Sequence, residues 1–116
     1  MYKTDHIINE ILLESGLCPS HKGYDYVVYG LLLIIDQNEL LTQITKGLYG
    51  KIADHYDVKV SNVERNMRTA IQAAWKRNKE MPFYEGYSRC PSNSTFMDLL
   101  LHRYEQRIYH ILNMRI

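Results

Sequence analysis

The chain has 116 residues, of which 46% are hydrophobic and 23% charged, with a formal net charge of +1. That length carries one domain with a core of its own, and the composition is that of an ordinary soluble globule needing no disulfide or metal support. Near-neutrality excludes the diffuse attraction that a strongly basic protein has for nucleic acid, so any phosphate-facing surface must be local.

The charge is in fact segregated. Residues 1–44 carry −4, residues 45–79 carry +5, and residues 80–116 balance to 0. One basic segment in a neutral protein suits a phosphate-facing surface, although a solvated Lys-rich face would give the same count. The 10 tyrosines suit half-buried helix positions, serving either the core or a phosphate-contacting surface. Cys18 and Cys90 lie far apart in no C-x-x-C pattern, which argues against a disulfide scaffold or a zinc site and for reduced thiols in a cytosolic protein. The start, Met1 to His6, lacks the apolar run of a signal peptide. The longest apolar stretch, Tyr26 to Ile35, contains Gly30 and is about half of what spans a bilayer, so no membrane partner is expected.

In chain order, Thr4 or Asp5 can cap a first helix that buries Ile7, Ile8, Ile11 and Leu12 and stops at Ser15-Gly16. Pro19 makes Cys18-Pro19-Ser20 a turn. A second helix runs from about Gly23 to Gln37, with Tyr26, Val27, Leu31, Ile34 and Ile35 at helical spacing and Val28, Leu32 and Leu33 on other sides. A helix apolar on most sides is the hub of its domain. A short third helix, about Glu39 to Leu48, rests on Leu40, Leu41, Ile44 and Leu48, with a break expected near Tyr49-Gly50. Lys51 to Tyr56 gives about two turns, Ile52, Ala53 and Tyr56 facing inward, and Asp57 to Val60 is a tight connection.

The next stretch, Ser61 to Trp75, organises the rest. Val63, Met67, Ala70, Ile71, Ala74 and Trp75 form the stripe that an α-helix buries and that no strand could place on one side. Arg65, Arg68, Thr69, Gln72 and Lys76 form the opposite, cationic face, and Ser61 with Glu64 matches the S-x-x-E capping box. Helix, short turn, helix is the helix-turn-helix arrangement, although two short helices packed in a bundle can mimic it. Ala53 permits close approach of the two helices, and Asp57 sits where such turns need a residue tolerant of left-handed backbone angles.

Beyond Trp75 the chain is polar and breaks at Pro82; Pro82 to Pro91 reads as a loop or short helical turn anchored by Phe83, Tyr84 and Tyr87. Ser92-Asn93-Ser94 offers caps for a last helix burying Phe96, Leu99, Leu100, Tyr104, Ile108, Ile111 and Leu112. No stretch alternates with period two, so the domain is expected to be all-α.

Ile44-Thr45-Lys46-Gly47-Leu48-Tyr49, Ile52-Ala53-Asp54-His55-Tyr56 and Val63-Glu64-Arg65-Asn66-Met67-Arg68, ending in Ala74-Trp75, resemble the DNA-binding effector domain of the stage-zero sporulation protein A family. The likeness extends to His21-Lys22-Gly23-Tyr24, Gly86-Tyr87 and Asn93-Ser94 with Phe96, and so covers roughly Ile7 to Ile108. It implies a compact bundle of about six helices containing a helix-turn-helix, whose second helix enters the major groove of a TGTCGAA-like box. Glu64, Arg65 and Arg68 fall on the family's base-reading positions; Asn62 replaces a usual Arg and Thr69 a frequent His. The family's regulator has an N-terminal receiver, which these residues lack; the chain is either an excised domain or a stand-alone single domain of residues 1–116. The loop after Trp75 is shorter than the family's at a region associated with an RNA polymerase sigma factor. The sequence beyond Ile108 is either a frayed tail or a dimer-forming extension.

The chemistry fits this implication. A guanidinium fork matches guanine O6 and N7, and Arg65 and Arg68 are one turn apart, although both could instead pair with phosphates or acids. Glu64 can accept from cytosine N4, orient Arg68 or close the capping box. Asn62 and Thr69 complete the candidate base-reading set, while Lys51, Lys59, Ser61, Gln72 and Lys76 suit phosphate contacts. The histidines His6, His21, His55, His102 and His110 match no metal-ligand motif, and no glycine loop, G-x-S-x-G elbow or paired carboxylates suggest an enzyme or a cofactor. Two functions compete: a sequence-specific regulator on double-stranded DNA, acting as a homodimer or in tandem, and a module acting through protein contacts with a sigma factor or a related regulator.

Overall fold

The second helix is the axis around which the others pack. In the computed structural model, which describes residues 2–114, it spans Lys22–Asp36 (α2). His21 holds extended backbone at its start and Gln37 leaves the helical region at its end. Tyr26, Val27, Leu31 and Ile34 are buried, the last three completely, and α2 touches every later α-helix. Leu32, expected to help fill the core, is instead 44% exposed, because a helix packed on several sides still keeps one open stripe.

The other α-helices among the described residues are α1 (Tyr2–Ser15), α3 (Gly50–Tyr56), α4 (Val60–Asn78) and α5 (Asn93–Met114). No strand occurs among those residues, and the fold is all-α. α1 starts at Tyr2, so Thr4 and Asp5 lie inside the helix and do not occupy its cap position. Its inner stripe, Ile7, Ile8, Ile11 and Leu12, is buried, and Gly16 closes it at φ +75°. The Ser15 hydroxyl donates to Leu12 O at 2.7 Å, and the Tyr84 hydroxyl donates to Ser15 O at 2.5 Å. The helix end is thereby tied to a loop 69 positions away.

The expected third helix differs in kind. Asn38–Gln43 is a 3-10 helix, and Ile44–Tyr49 is a π-helical turn that runs straight into α3. Gly50 is helical at φ −60°, so there is no break at Tyr49-Gly50; the break falls at Gln43, with φ −132° and ψ 62°. Leu48 and Tyr49, at the end of the π turn, are both in the core.

Pro82–Tyr84 forms a 3-10 turn whose Phe83 and Tyr84 are buried, whereas Tyr87, expected to help anchor the loop, is 36% exposed. The Trp75 ring packs edge-on against Tyr84, centroids 5.3 Å apart. Ser92 caps α5: its hydroxyl accepts the Thr95 N–H at 3.2 Å, and its carbonyl accepts the Phe96 N–H at 2.8 Å. Phe96, Met97 and Leu100 are fully enclosed, but burial fades along the helix, and Leu112 is 57% exposed where the period placed it inside. The segment beyond Ile108 is a continuation of α5 through Met114. Arg107 pins this half of α5 to α1, donating to Glu10 at 2.7 Å and Glu14 at 2.5 Å.

Candidate nucleic-acid interface

α3 and α4 are joined by the three-residue turn Asp57–Lys59. Asp57 adopts the left-handed conformation, φ 56° and ψ 51°, and the Val58 N–H reaches back to Ala53 O at 3.0 Å. This is the helix-ending geometry in which a short polar side chain substitutes for glycine. Ile52, Ala53, Val63 and Met67 form the buried seam between the two helices, with Val58 half-buried beneath the turn.

α4 begins at Val60, with Lys59 in extended backbone at the cap position and no side-chain cap bond. The S-x-x-E box is therefore not formed. Val60 packs against the core and draws the helix start forward, so Ser61 already lies in the first turn. The Lys59 carbonyl accepts the N–H groups of Asn62 and Val63 at 3.0 and 3.2 Å, and the Glu64 carboxylate turns to the Arg68 guanidinium instead.

The buried stripe of α4 is as expected: Val63, Met67, Ala70, Ile71 and Ala74 are at most 1% exposed, and Trp75 is half-buried. Opposite it, Ser61, Arg65, Arg68, Thr69, Gln72 and Lys76 are all exposed. Asn62 and Glu64 are half-buried and hold the two arginines: Arg65 Nη2 donates to Asn62 Oδ1 at 2.9 Å, and Arg68 pairs with Glu64. An exposed i,i+4 pair of this kind contributes only a few tenths of a kcal/mol to stability, so its main effect is on orientation. Lys59 is exposed in the turn and Lys51 on α3, off α4 itself.

Two residues outside the expected site support it. Asn93, the first residue of α5, is buried, and its amide donates to the Tyr49 hydroxyl and to the backbone carbonyl of Glu64, each at 3.0 Å. Burial pushes the Tyr49 hydroxyl above the usual tyrosine range. In the sequence, Asn93 reads as one of three cap residues, and nothing local signals a bond to a carbonyl 29 positions earlier. Beside this junction, Glu64, Arg68, Gln72, Cys90, Ser92 and Asn93 line a cleft of about 380 Å³ between α4 and the start of α5. Cys18 and Cys90 are both free thiols, and burial raises the pKa of Cys90.

A buried seam across a tight left-handed turn, with a cationic and donor-rich outer face on the second helix, defines a helix-turn-helix DNA-binding protein. The family model described as "Sporulation initiation factor Spo0A C terminal" matches residues 8–104, from the first helix well into the last. The chain belongs to that family, the DNA-binding effector domain of a sporulation regulator, which is a regulatory and not an enzyme family. Among the described residues no helix is long and apolar enough to cross a membrane.

Proposed function

We propose that this chain is a single sequence-specific DNA-binding domain that regulates transcription by laying α4 in the major groove of a TGTCGAA-like box. The observation that carries the reading is the division of α4 into a fully buried stripe and an outer face bearing Arg65 and Arg68. A guanidinium has five N–H donors, so the bonds to Asn62 and Glu64 leave a fork free for guanine O6 and N7. Each such contact discriminates against a wrong base by about 1–3 kcal/mol. Glu64, Asn62 and Thr69 flank the arginines as further base-edge contacts, while Lys51, Lys59, Ser61, Gln72 and Lys76 grip phosphates and set the docking angle. Such a domain works on the bacterial nucleoid, in the cytoplasm.

A second reading, contact with an RNA polymerase sigma factor or a second copy of the chain, is favoured by the apolar side chains left open on the outer part of α5. Tyr109 is 68% exposed, Leu112 57% and Met114 73%. The two readings are compatible, since a short box bound by one small domain gains affinity from a neighbour.

Titration of labelled duplexes at several salt concentrations tests the DNA reading. Affinity should fall steeply with salt, and the box should outcompete a scrambled duplex. Arg65→Ala should remove most of the preference at one base pair, whereas Lys59→Ala should weaken all sequences alike. Equal, weak binding to box and scramble by the unaltered protein would sink the proposal.

A further inference from the structure

Apolar contact holds α4 in the domain, but apolar contact is non-directional and does not by itself fix how far a helix is rotated or slid along its axis. Reading base edges demands that fix, since a recognition group has to be held within about 0.5 Å and 10–20° of its productive geometry. Among the described residues, the side chain that supplies a directional bond from another helix to the base-reading turns of α4 is Asn93.

Its surroundings make it rigid. Ser92 caps α5 immediately before it, and Phe96 and Met97 lock the first turn of α5 into the core with no exposure. Asn93 itself is 8% exposed and its amide spans two elements, the Tyr49 hydroxyl at the π turn leading into α3 and the Glu64 carbonyl in α4. By helix geometry that carbonyl also accepts the Arg68 N–H one turn on, so its second lone pair is what Asn93 occupies. The atom grasped thus belongs to a residue flanked by Arg65 and side-chain-paired to Arg68.

We propose that Asn93 is a positioning residue for DNA reading: its bond to the Glu64 carbonyl sets the rotation and axial register of α4 against α5, and so aims Arg65 and Arg68. This rests on the DNA reading of α4 given above. A merely structural Asn93 would lower stability and weaken all DNA binding together. A positioning Asn93 controls the ratio between right and wrong sequences.

The test uses the full chain with Asn93→Ala and Tyr49→Phe, each measured for thermal midpoint, for affinity to box and scrambled duplexes, and for the amide NMR shifts of α4. Asn93→Ala should reduce the box-to-scramble ratio by about tenfold or more. It should leave affinity for the scramble and its salt dependence as they were, and shift the amides of Arg65 through Arg68. Tyr49→Phe keeps the bond to Glu64 and should keep the ratio. Should Asn93→Ala not fold, Asn93→Ser, too short to span both acceptors, is read in the same assays. An unchanged ratio in the Asn93 variant, or an equal loss in Tyr49→Phe, overturns the proposal. If the unaltered protein shows no preference for the box, it is the DNA reading that fails; unchanged α4 amide shifts in the Asn93 variant would then reject the positioning role on its own evidence.

Discussion

Arg65 donates through Nη2 to the carboxamide oxygen of Asn62, 2.9 Å away and one turn earlier on α4. Asn62 is half-buried, so its side chain holds the exposed Arg65 from a fixed point on the same helix. Asn62→Ala should free Arg65 and lower the preference for box over scramble by about two- to tenfold, the worth of one hydrogen bond of about 0.5–1.5 kcal/mol. Binding to the scramble should stay unchanged. The Asn66 amide bonds to the backbone carbonyl of Asn62 at 2.8 Å, so the helix itself is spared by the substitution. A uniform loss on both duplexes would show that Asn62 acts on phosphates and not through Arg65.

At Gly23, α2 leaves no room for a side chain against the backbone of α4. A Cβ there would lie 2.1 Å from the Asn66 carbonyl oxygen and 2.7 Å from its carbon, and backbone cannot swing aside as a flexible side chain can. Gly23→Ala should therefore push the helices apart at a cost of about 1–3 kcal/mol, seen as a lower denaturation midpoint, and weaken binding to every duplex. Gly50 is the control: it is helical, with nothing within 4 Å of an added Cβ. Gly50→Ala should stabilise by about 0.5–1 kcal/mol. Equal effects at the two sites would contradict the packing described.

Tyr84 is buried with its hydroxyl on Ser15 O, and burial pushes its ionisation well above the ordinary tyrosine value. The unfolded chain releases that proton near pH 10 while the folded protein holds it. The contribution is thus fully present below about pH 10 and is lost as pH rises toward the folded value. Tyr49 and the more exposed Tyr56 are raised in the same direction, also by burial first. Denaturant midpoints should therefore be flat around neutrality and fall above about pH 10. Tyr84→Phe should flatten part of that fall while lowering stability at neutral pH by about 1–3 kcal/mol, because Ser15 O loses its partner. An alkaline profile identical in the two proteins would refute the assignment.

Features that rest on contacts a few residues apart follow from the residues alone. The stripe from Val63 to Ala74, the stop at Ser15-Gly16, the left-handed turn at Asp57 and the cap at Ser92 are set by helical period and local backbone chemistry, and each is where the residues placed it. Local signals misled where packing chose between near-equal alternatives. Ser61-x-x-Glu64 is a sound capping box, yet the helix starts one residue before it, at the half-buried Val60. The stretch from Asn38 to Tyr49 has an α-helical apolar pattern, yet it folds into 3-10 and π turns while still enclosing Leu40, Leu48 and Tyr49. The period continued to Leu112, but the domain ended before it and left that side chain in solvent. Only the tertiary structure could pair Asn93 with Glu64 or bring Gly23 onto Asn66, because those contacts join helices distant along the chain, and no short-range pattern records which carbonyl a buried amide will meet.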